Sequence, residues 1–211
     1  FAGAACRLPD GRPRILHHAT DAPDGTRNFQ VFARTEDIGF HFGDPASANA
    51  LLRAWTASGC TDRGRRILPV VCRARRPLRL DDLSTWEPAT LLDRVHAARA
   101  LNDTEAEWLY VHGGVIDDHL LAALERAGHD ALIYDNAVEP GAAPSWLVWD
   151  PRLLKSAFAR TWPPDDPRLT PDASWTTVDR ADAAAAADHR ATIDASRRDL
   201  NALGDPGRIT S

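Results

Sequence analysis

Residues 145–156 read Ser-Trp-Leu-Val-Trp-Asp-Pro-Arg-Leu-Leu-Lys-Ser. The first five of them form an apolar run that predicts a β-strand over 145–149, the last strand of the chain. Within that strand, Trp146 and Trp149 are predicted to pack in the core and at its rim. Asp150-Pro151 follows this strand, and the stretch ends with Leu154-Lys155-Ser156. A strand with large apolar side chains is thus followed in the sequence by a more polar segment over 150–156.

The elements that precede this strand alternate irregularly. A helix is expected to begin at Asp44-Pro45, since Asp is a good N-cap and Pro suits the first helical position. Pro77 is predicted to end a strand, and Gly128 to end a helix. Because strands and helices do not strictly alternate, the fold class predicted is α+β. The remaining predictions are strands at 14–18, 29–33, 38–42, 66–75 and 131–134, and helices at 45–57, 88–101, 105–111 and 117–127.

The character of the chain changes after residue 160. Residues 161–171 contain four prolines, which is typical of a linker. Residues 178–200 are rich in alanine and charge and predict a helix with a thin apolar stripe, which docks either on the core or on a partner. The expected organisation is therefore a domain over 1–160, a linker over 161–177, and a helical extension with a tail over 178–211.

Composition limits the classes of function. The chain has 211 residues, is 44% hydrophobic and has a formal net charge of -5, which gives no reason to expect tight binding to a nucleic-acid backbone. Lys155 is the only lysine among 25 basic residues. Arginine can bind the phosphates of a dinucleotide bidentately, although a GC-rich genome also produces this bias.

Other classes of protein find no support in the sequence. The three cysteines, Cys6, Cys60 and Cys72, have no CxxC spacing, which argues against a zinc knuckle or a disulfide framework. No apolar run has the length of a membrane span. The sequence begins at Phe1 and contains no methionine, so we expect a module cut from a longer polypeptide.

Three segments carry the residue types of a reactive site. The first is Leu-His-His-Ala-Thr at 16–20, and the second is Gly-Phe-His-Phe-Gly at 39–43, directly before a helix. The third is Tyr-Asp-Asn-Ala-Val-Glu at 134–139, followed by the strand at 145–149.

Together these segments resemble the signature of ADP-ribosyltransferases of the diphtheria-toxin and poly(ADP-ribose) polymerase type. That family has a His-Gly-Thr strand, a Gly-x-Tyr-Phe strand before a helix, and a Glu-Tyr-Ile-Val-Tyr-Asp strand. This chain has Ala19 at the glycine, His41 at the tyrosine and Ser145 at the glutamate. The pattern is more similar still to the branch associated with phages and polymorphic toxins, in which HFG and YxNxxE…SxxVxDPxxxKS recur. The resemblance covers roughly residues 14–158.

The resemblance implies a split mixed β-sheet core flanked by helices, and a role for each matching residue. It implies that His18 binds a ribose hydroxyl and that the backbone of Ala19 faces the carboxamide of nicotinamide. It implies that His41 stacks on nicotinamide, facing opposite to Phe40 and Phe42 on the same strand. Glu139 is the expected catalytic carboxylate in place of Ser145. The full set of expected NAD-contacting residues is His18, Ala19, Thr20, Phe40, His41, Asn136 and Ser145.

The implied activity is cleavage of the bond between nicotinamide and ribose in NAD. A carboxylate stabilises the oxocarbenium-like centre that forms, and no metal is needed. The ADP-ribose then passes to a protein or nucleic-acid acceptor, or to water. Such effector domains act in the cytoplasm of a target cell after delivery, and an immunity protein or a parent polypeptide is the further expected partner.

Two other readings remain open at the level of sequence. The departures at Ala19, His41 and Ser145 suit a catalytically degenerate module that binds a nucleotide or a protein. A metal-dependent hydrolase could be assembled from His17, His18 and His41 with Asp117 or His119. The absence of an HxxxH spacing on a helix argues against this hydrolase.

Overall fold

The structure is a computed structural model that describes residues 3–20, 32, 38–59, 65–81, 87–112, 116–135, 144–171 and 177–203. Within these residues it contains seven strands and five helices. The strands are β1 (Ile15–Thr20), β2 (Phe40–Phe42), β3 (Arg66–Cys72), β4 (Pro77–Leu80), β5 (Ala131–Tyr134), β6 (Ser145–Val148) and β7 (Leu154–Ser156). The helices are α1 (Pro45–Ala57), α2 (Pro88–Ala97), α3 (Asp103–Val111), α4 (Ile116–Arg126) and α5 (Thr177–Leu203).

The strands form two small sheets, which confirms the predicted α+β class. The first sheet has the order β1-β3-β7 and is antiparallel throughout. The second has the order β2-β6-β5-β4, in which β4 and β5 are parallel and the other pairs are antiparallel.

The two sheets meet where β1 passes the end of β2. His17 and Gly43 exchange both backbone hydrogen bonds, each at 3.0 Å between nitrogen and oxygen. One residue further along β1, the His18 imidazole bonds the carbonyl oxygen of His41 at 2.7 Å. The junction therefore brings two of the motif-bearing segments side by side.

Strand β6 is buried on both faces and separates two apolar cores. Trp146 and Val148 pack between the two sheets, together with residues such as Phe42. Leu147 and Trp149 point to the other side, where α2, α3, α4 and α5 cover the second sheet. Successive side chains of a strand face opposite ways, so a strand that lies between two cores carries apolar side chains on both faces, as β6 does at 146–148.

Helix α1 begins as the sequence predicts. The Asp44 carboxylate accepts a hydrogen bond from the Ser47 amide at 2.8 Å, and Pro45 occupies the first turn. Helix α3 also has a side-chain cap, because Asn102 and Glu105 bond each other's backbone amides. These caps satisfy amides that have no partner within the helix.

Several boundaries differ from the sequence predictions. Pro77 does not end a strand but begins β4, at the outer edge of the second sheet. Proline is tolerated there because the first residue of an edge strand need not donate a ladder hydrogen bond.

The preceding strand ends at Cys72, and β7 was not predicted at all. Helix α2 ends at Ala97 rather than at 101, and Arg99 just beyond it has a φ of 60°. The strand predicted at 29–33 lies outside the described residues except for Phe32, which is buried between the sheets.

Residues 161–171, predicted as a linker, lie against the first sheet. The Ser156 amide donates to the Leu169 carbonyl at 2.8 Å, and Leu169 is buried. The fully buried Lys155 donates to the Asp166 carbonyl at 2.8 Å and lies 5.4 Å from the centre of the Trp162 ring. Burial lowers the pKa of Lys155 to about 8.

Helix α5 docks on the core, which is one of the two alternatives that the sequence leaves open. Ile193 and Leu200 are buried among the side chains of the helical layer. On the polar side of the contact, the Glu125 carboxylate of α4 accepts hydrogen bonds from Arg190 and Arg197 of α5 and from the Trp149 indole. None of the helices in the described ranges is both long and apolar enough to cross a membrane.

Replacement of Glu125 by glutamine tests whether this carboxylate anchors α5. The Glu125 side chain is only 16% exposed, so removing its charge leaves two guanidinium groups without a buried counter-charge. We expect a loss of about 2–3 kcal/mol in the free energy of unfolding, measured by urea denaturation. Asp194→Asn is the control, because Asp194 pairs with Arg190 at the surface and should contribute less than about 1 kcal/mol. Equal losses in the two variants would contradict the assignment.

Candidate functional site

The structure brings the three motif segments onto neighbouring strands. Strand β1 lies beside β2 at the sheet junction, and β2 pairs with β6 so that His41 is opposite Leu147. Strand β6 pairs in turn with β5, where Tyr134 is opposite Ser145. Segments that are far apart in the sequence therefore meet at one end of the second sheet.

His18 is held in one tautomer by its environment. Its Nδ1 lies 2.7 Å from the His41 carbonyl oxygen, which can only accept, so Nδ1 carries the proton and Nε2 presents a lone pair. The ring packs against Phe32 at 5.1 Å and Phe42 at 5.4 Å between centroids. Burial lowers the pKa of His18, and the hydrogen bond to His41 offsets part of that effect. The imidazole is thus neutral at neutral pH and can accept a hydrogen bond.

His41 lies on the opposite side of β2 from its neighbours. Phe40 and Phe42 point into the core between the sheets, so the alternation of the strand turns His41 toward the helical layer. There its Nδ1 is 3.0 Å from the Tyr134 hydroxyl oxygen. Tyr134 is buried, so its hydroxyl has a fixed position from which it orients the imidazole.

The two histidines are adjacent through the backbone, but their rings do not share a face. The His18 ring contacts Phe42, whereas His41 points away from Phe42. A ligand that touches both rings has to reach around the end of β2. This arrangement follows from the strand alternation and could not be read from the order of the motifs.

The other predicted contact residues fall into two groups. Phe40 and Ala19 are buried, and Phe40 packs on Phe32 with ring centroids 4.7 Å apart, so these residues contribute mainly to the core. Thr20 is partly buried at the end of β1, opposite Arg66. Ser145 is buried on the same face of the sheet as His41 and Leu147.

Asn136 and Glu139 lie outside the described residues. They belong to the connection between Tyr134 and Ser145, whose Cα atoms are paired across β5 and β6. The chain therefore leaves and re-enters the second sheet at the end where His41 and Tyr134 meet.

Tyr134 and His17 lie at the site, although the sequence analysis gave neither of them a contact with NAD. Tyr134 is the first residue of the YxNxxE pattern and the last residue of a short apolar strand, and these were the signals that could have found it. The Nδ1 atom of His17 is buried and has no hydrogen-bond partner among the described residues. Burial lowers the pKa of His17, and the nearby Asp44 charge acts in the opposite direction.

The residues of the alternative metal site are dispersed. His119 lies in the helical layer, where its ring is 4.7 Å from that of Trp108 and its Nε2 is 3.6 Å from Asp199. Across the described part of the chain, no three His, Cys, Asp or Glu side chains come together as metal ligands would.

No protein family, curated protein or solved structure matches this chain. The function therefore has to be argued from the site residues and their geometry.

The burial of His18 predicts a pH dependence of stability. Because the pKa of His18 is lower in the folded chain than its ordinary value of 6.5, the unfolded chain binds more protons as the pH falls through that value. Stability should therefore decrease from pH 7.5 to pH 5.5, and the decrease should be smaller in His18→Asn, which keeps a donor for the His41 carbonyl. Urea denaturation at each pH measures this difference. An NMR titration of the His18 ring with a midpoint above that of a free histidine peptide would contradict it.

Proposed function

We propose that this chain is an ADP-ribosyltransferase domain of the toxin- or phage-associated type. It cleaves the bond between nicotinamide and ribose in NAD and transfers ADP-ribose to a macromolecular acceptor, with water as the default acceptor. The observation that carries the proposal is the meeting of the segments around His18, His41 and Ser145 on adjacent strands β1, β2 and β6.

The sheet arrangement supports the same proposal. The resemblance implies a split sheet, and here the chain forms two small sheets that meet between β1 and β2. The first two motif segments lie on either side of that meeting point. The third lies on β6, directly beside the second.

His18 has the chemical form that the proposed role needs. With Nδ1 donating to the His41 carbonyl, the Nε2 lone pair can accept a hydrogen bond from a ribose hydroxyl. The lowered pKa keeps this acceptor unprotonated at neutral pH. A histidine that carried a second proton would instead donate to the hydroxyl oxygen, so the direction of the hydrogen bond would be reversed.

His41 and Tyr134 form the second part of the proposed site. An imidazole is flat and can stack on the nicotinamide ring as the tyrosine of the family does. The hydrogen bond between Tyr134 and His41 Nδ1 holds that ring in one orientation, so less conformational entropy is lost when the substrate binds.

Glu139 is the proposed catalytic carboxylate. When the bond from the ribose C1′ to the nicotinamide nitrogen breaks, both bonding electrons leave with nicotinamide, which becomes neutral. The positive charge that develops on the ribose is stabilised by a nearby carboxylate. The acceptor then bonds to C1′ through its oxygen or nitrogen and releases a proton. Glu139 lies between Tyr134 and Ser145 in the sequence, and these two residues are paired beside His41.

The proposed setting is the cytoplasm of a target cell, where NAD is available as the substrate. The acceptor is a protein or a nucleic acid, and an immunity protein or a parent polypeptide is the proposed regulatory partner. No metal takes part in the proposed chemistry.

Nicotinamide release tests the proposal directly. The purified chain is incubated with NAD, and free nicotinamide is followed by chromatography. We expect release by the wild type and a loss of about 100-fold or more in His18→Ala and in Glu139→Gln. His112→Ala and Glu107→Gln replace exposed residues of the same types on or next to α3 and should retain activity. Nicotinamide release that survives Glu139→Gln would show that another residue is the catalytic carboxylate. The absence of nicotinamide release by the wild type would contradict the proposed NAD cleavage.

A degenerate binding module is the second candidate. The observation that favours it is Ser145, a buried hydroxyl at the position where the resemblance implies a glutamate. Calorimetric titration with NAD separates the two candidates when no nicotinamide is released. Binding without cleavage would support the nucleotide-binding module, and no binding would direct attention to protein partners.

Tyr134→Phe tests the proposed orientation of His41. The substitution keeps the apolar ring in the core and removes only the hydroxyl that bonds His41 Nδ1. We expect the KM for NAD to rise about 5-fold with kcat little changed, since one hydrogen bond contributes about 1 kcal/mol. A fall in kcat with an unchanged KM would show that Tyr134 acts in the chemical step instead.

A further inference from the structure

The turn between β3 and β4 concentrates positive charge in an acidic protein. Residues 63–79 contain seven arginines and no acidic residue, although the whole chain has a net charge of -5. Three of these residues, Arg73, Arg75 and Arg76, lie together at the turn and are called the arginine corner below. Arg75 and Arg76 are exposed.

The backbone of the arginine corner is held rigidly. The Asp130 carboxylate accepts hydrogen bonds from the amides of Arg75 at 2.7 Å and Arg76 at 2.9 Å. The imidazole of His129 contacts the Arg76 carbonyl at 3.1 Å, and the Ala5 amide donates to the Ala74 carbonyl at 2.7 Å. Because Asp130 is bonded to backbone amides, the nearest acid fixes the turn without forming an ion pair with its guanidinium groups.

The three guanidinium groups have no ion-pair partner in the described part of the chain. Arg79, Arg152 and Arg168, in contrast, each pair with an aspartate at 2.5 or 2.6 Å. Arg73 lies 5.6 Å from the centre of the Trp162 ring, which supports the side chain without neutralising its charge. The guanidinium groups of the arginine corner are therefore not held in direct ion pairs, although the Asp130 carboxylate keeps its negative charge beside them.

Two concave surfaces adjoin the arginine corner. One has a volume of about 260 Å³ and is lined by Arg73, Arg75 and Arg152, and the other has a volume of about 250 Å³ and is lined by Arg76, His129 and Arg197. Asp130, Asp150 and Leu153 border both. Asp150 is already paired with Arg152, and Glu125 in the second concavity is paired with Arg190 and Arg197. Asp130 and Asp165 are the lining acids that no arginine of these pairs neutralises.

We propose that the arginine corner binds the phosphodiester backbone of a nucleic acid. The planar guanidinium group bonds phosphate oxygens bidentately, and the three arginines line two adjoining concavities that share Asp130, Asp150 and Leu153. A nucleic acid carries a full charge at every nucleotide with regular spacing, whereas the carboxylates of an acidic protein are spread over flexible stems. Recognition of this kind is independent of base sequence.

The arginine corner is separate from the proposed NAD site. It lies at the end of the second sheet where β4 begins at Pro77 and β5 at Ala131, whereas Tyr134 and Ser145 are at the opposite end of these strands. Binding of nucleic acid can therefore be measured without NAD. The result of that measurement does not depend on whether the chain cleaves NAD.

Fluorescence anisotropy with labelled single- and double-stranded 20-mer oligonucleotides tests the inference between 50 and 200 mM KCl. We expect binding that weakens with salt. In Arg73→Gln/Arg75→Gln/Arg76→Gln, we expect the affinity to fall at least about 10-fold and the slope of log affinity against log salt to decrease by about 2 to 3. The control is Arg53→Gln/Arg94→Gln/Arg180→Gln, which removes the same charge from exposed helix positions and should bind within about twofold of the wild type.

Three outcomes would overturn the inference. The first is the absence of binding by the wild type at 50 mM KCl. The second is an equal loss of affinity in both triple variants, which would assign the effect to net charge. Tighter binding of a polyglutamate peptide than of either oligonucleotide would indicate an acidic protein partner instead. Arg75→Gln/Arg76→Gln changes only exposed side chains and repeats the comparison if the triple variant does not fold, as judged by its urea denaturation.

Discussion

The exchange of backbone hydrogen bonds between His17 and Gly43 is the contact on which the arrangement of the site depends. It sets β1 beside β2 and lets His18 reach the His41 carbonyl. Directly after Gly43, Asp44 caps α1, so the chain leaves the junction and passes back over β1.

Strand β6 imposes the second constraint, because it serves both the core and the site. Its apolar residues separate the core between the sheets from the core under the helices, while Ser145 at its start pairs with Tyr134 beside His41. Tyr134 also serves both the core and the site, since its ring packs in the core under the helices and its hydroxyl orients the imidazole of His41. The geometry of the site is therefore fixed by the packing of the second sheet.

Charged side chains are distributed unevenly over the fold, and the net charge of the chain does not show this. At the contact between α4 and α5, Glu125 binds two arginines and joins the helical layer to α5. At the turn between β3 and β4, Asp130 bonds to backbone amides, and the adjacent arginines keep their charge. A net charge of -5 argues against a polyanion as a partner of the whole surface, but it does not describe a turn at which three arginines lie together outside any direct ion pair.

The sequence alone determined the elements whose signals are local: the strand Ala131–Tyr134, the capped helix Pro45–Ala57 and the long helix near the end of the chain were all expected near where they lie. Only the tertiary structure decided that β4 and β7 form, because strands of four and three residues exist through their pairing and leave little pattern of their own. It also decided that α5 packs on α4 and that the His18 ring of β1 lies against Phe42, on the opposite side of β2 from His41. The direction of His41 follows from strand alternation and was expected from the sequence. The docking of α5 and the position of β1 beside β2 depend on residues that are distant in sequence, so no local window contains them.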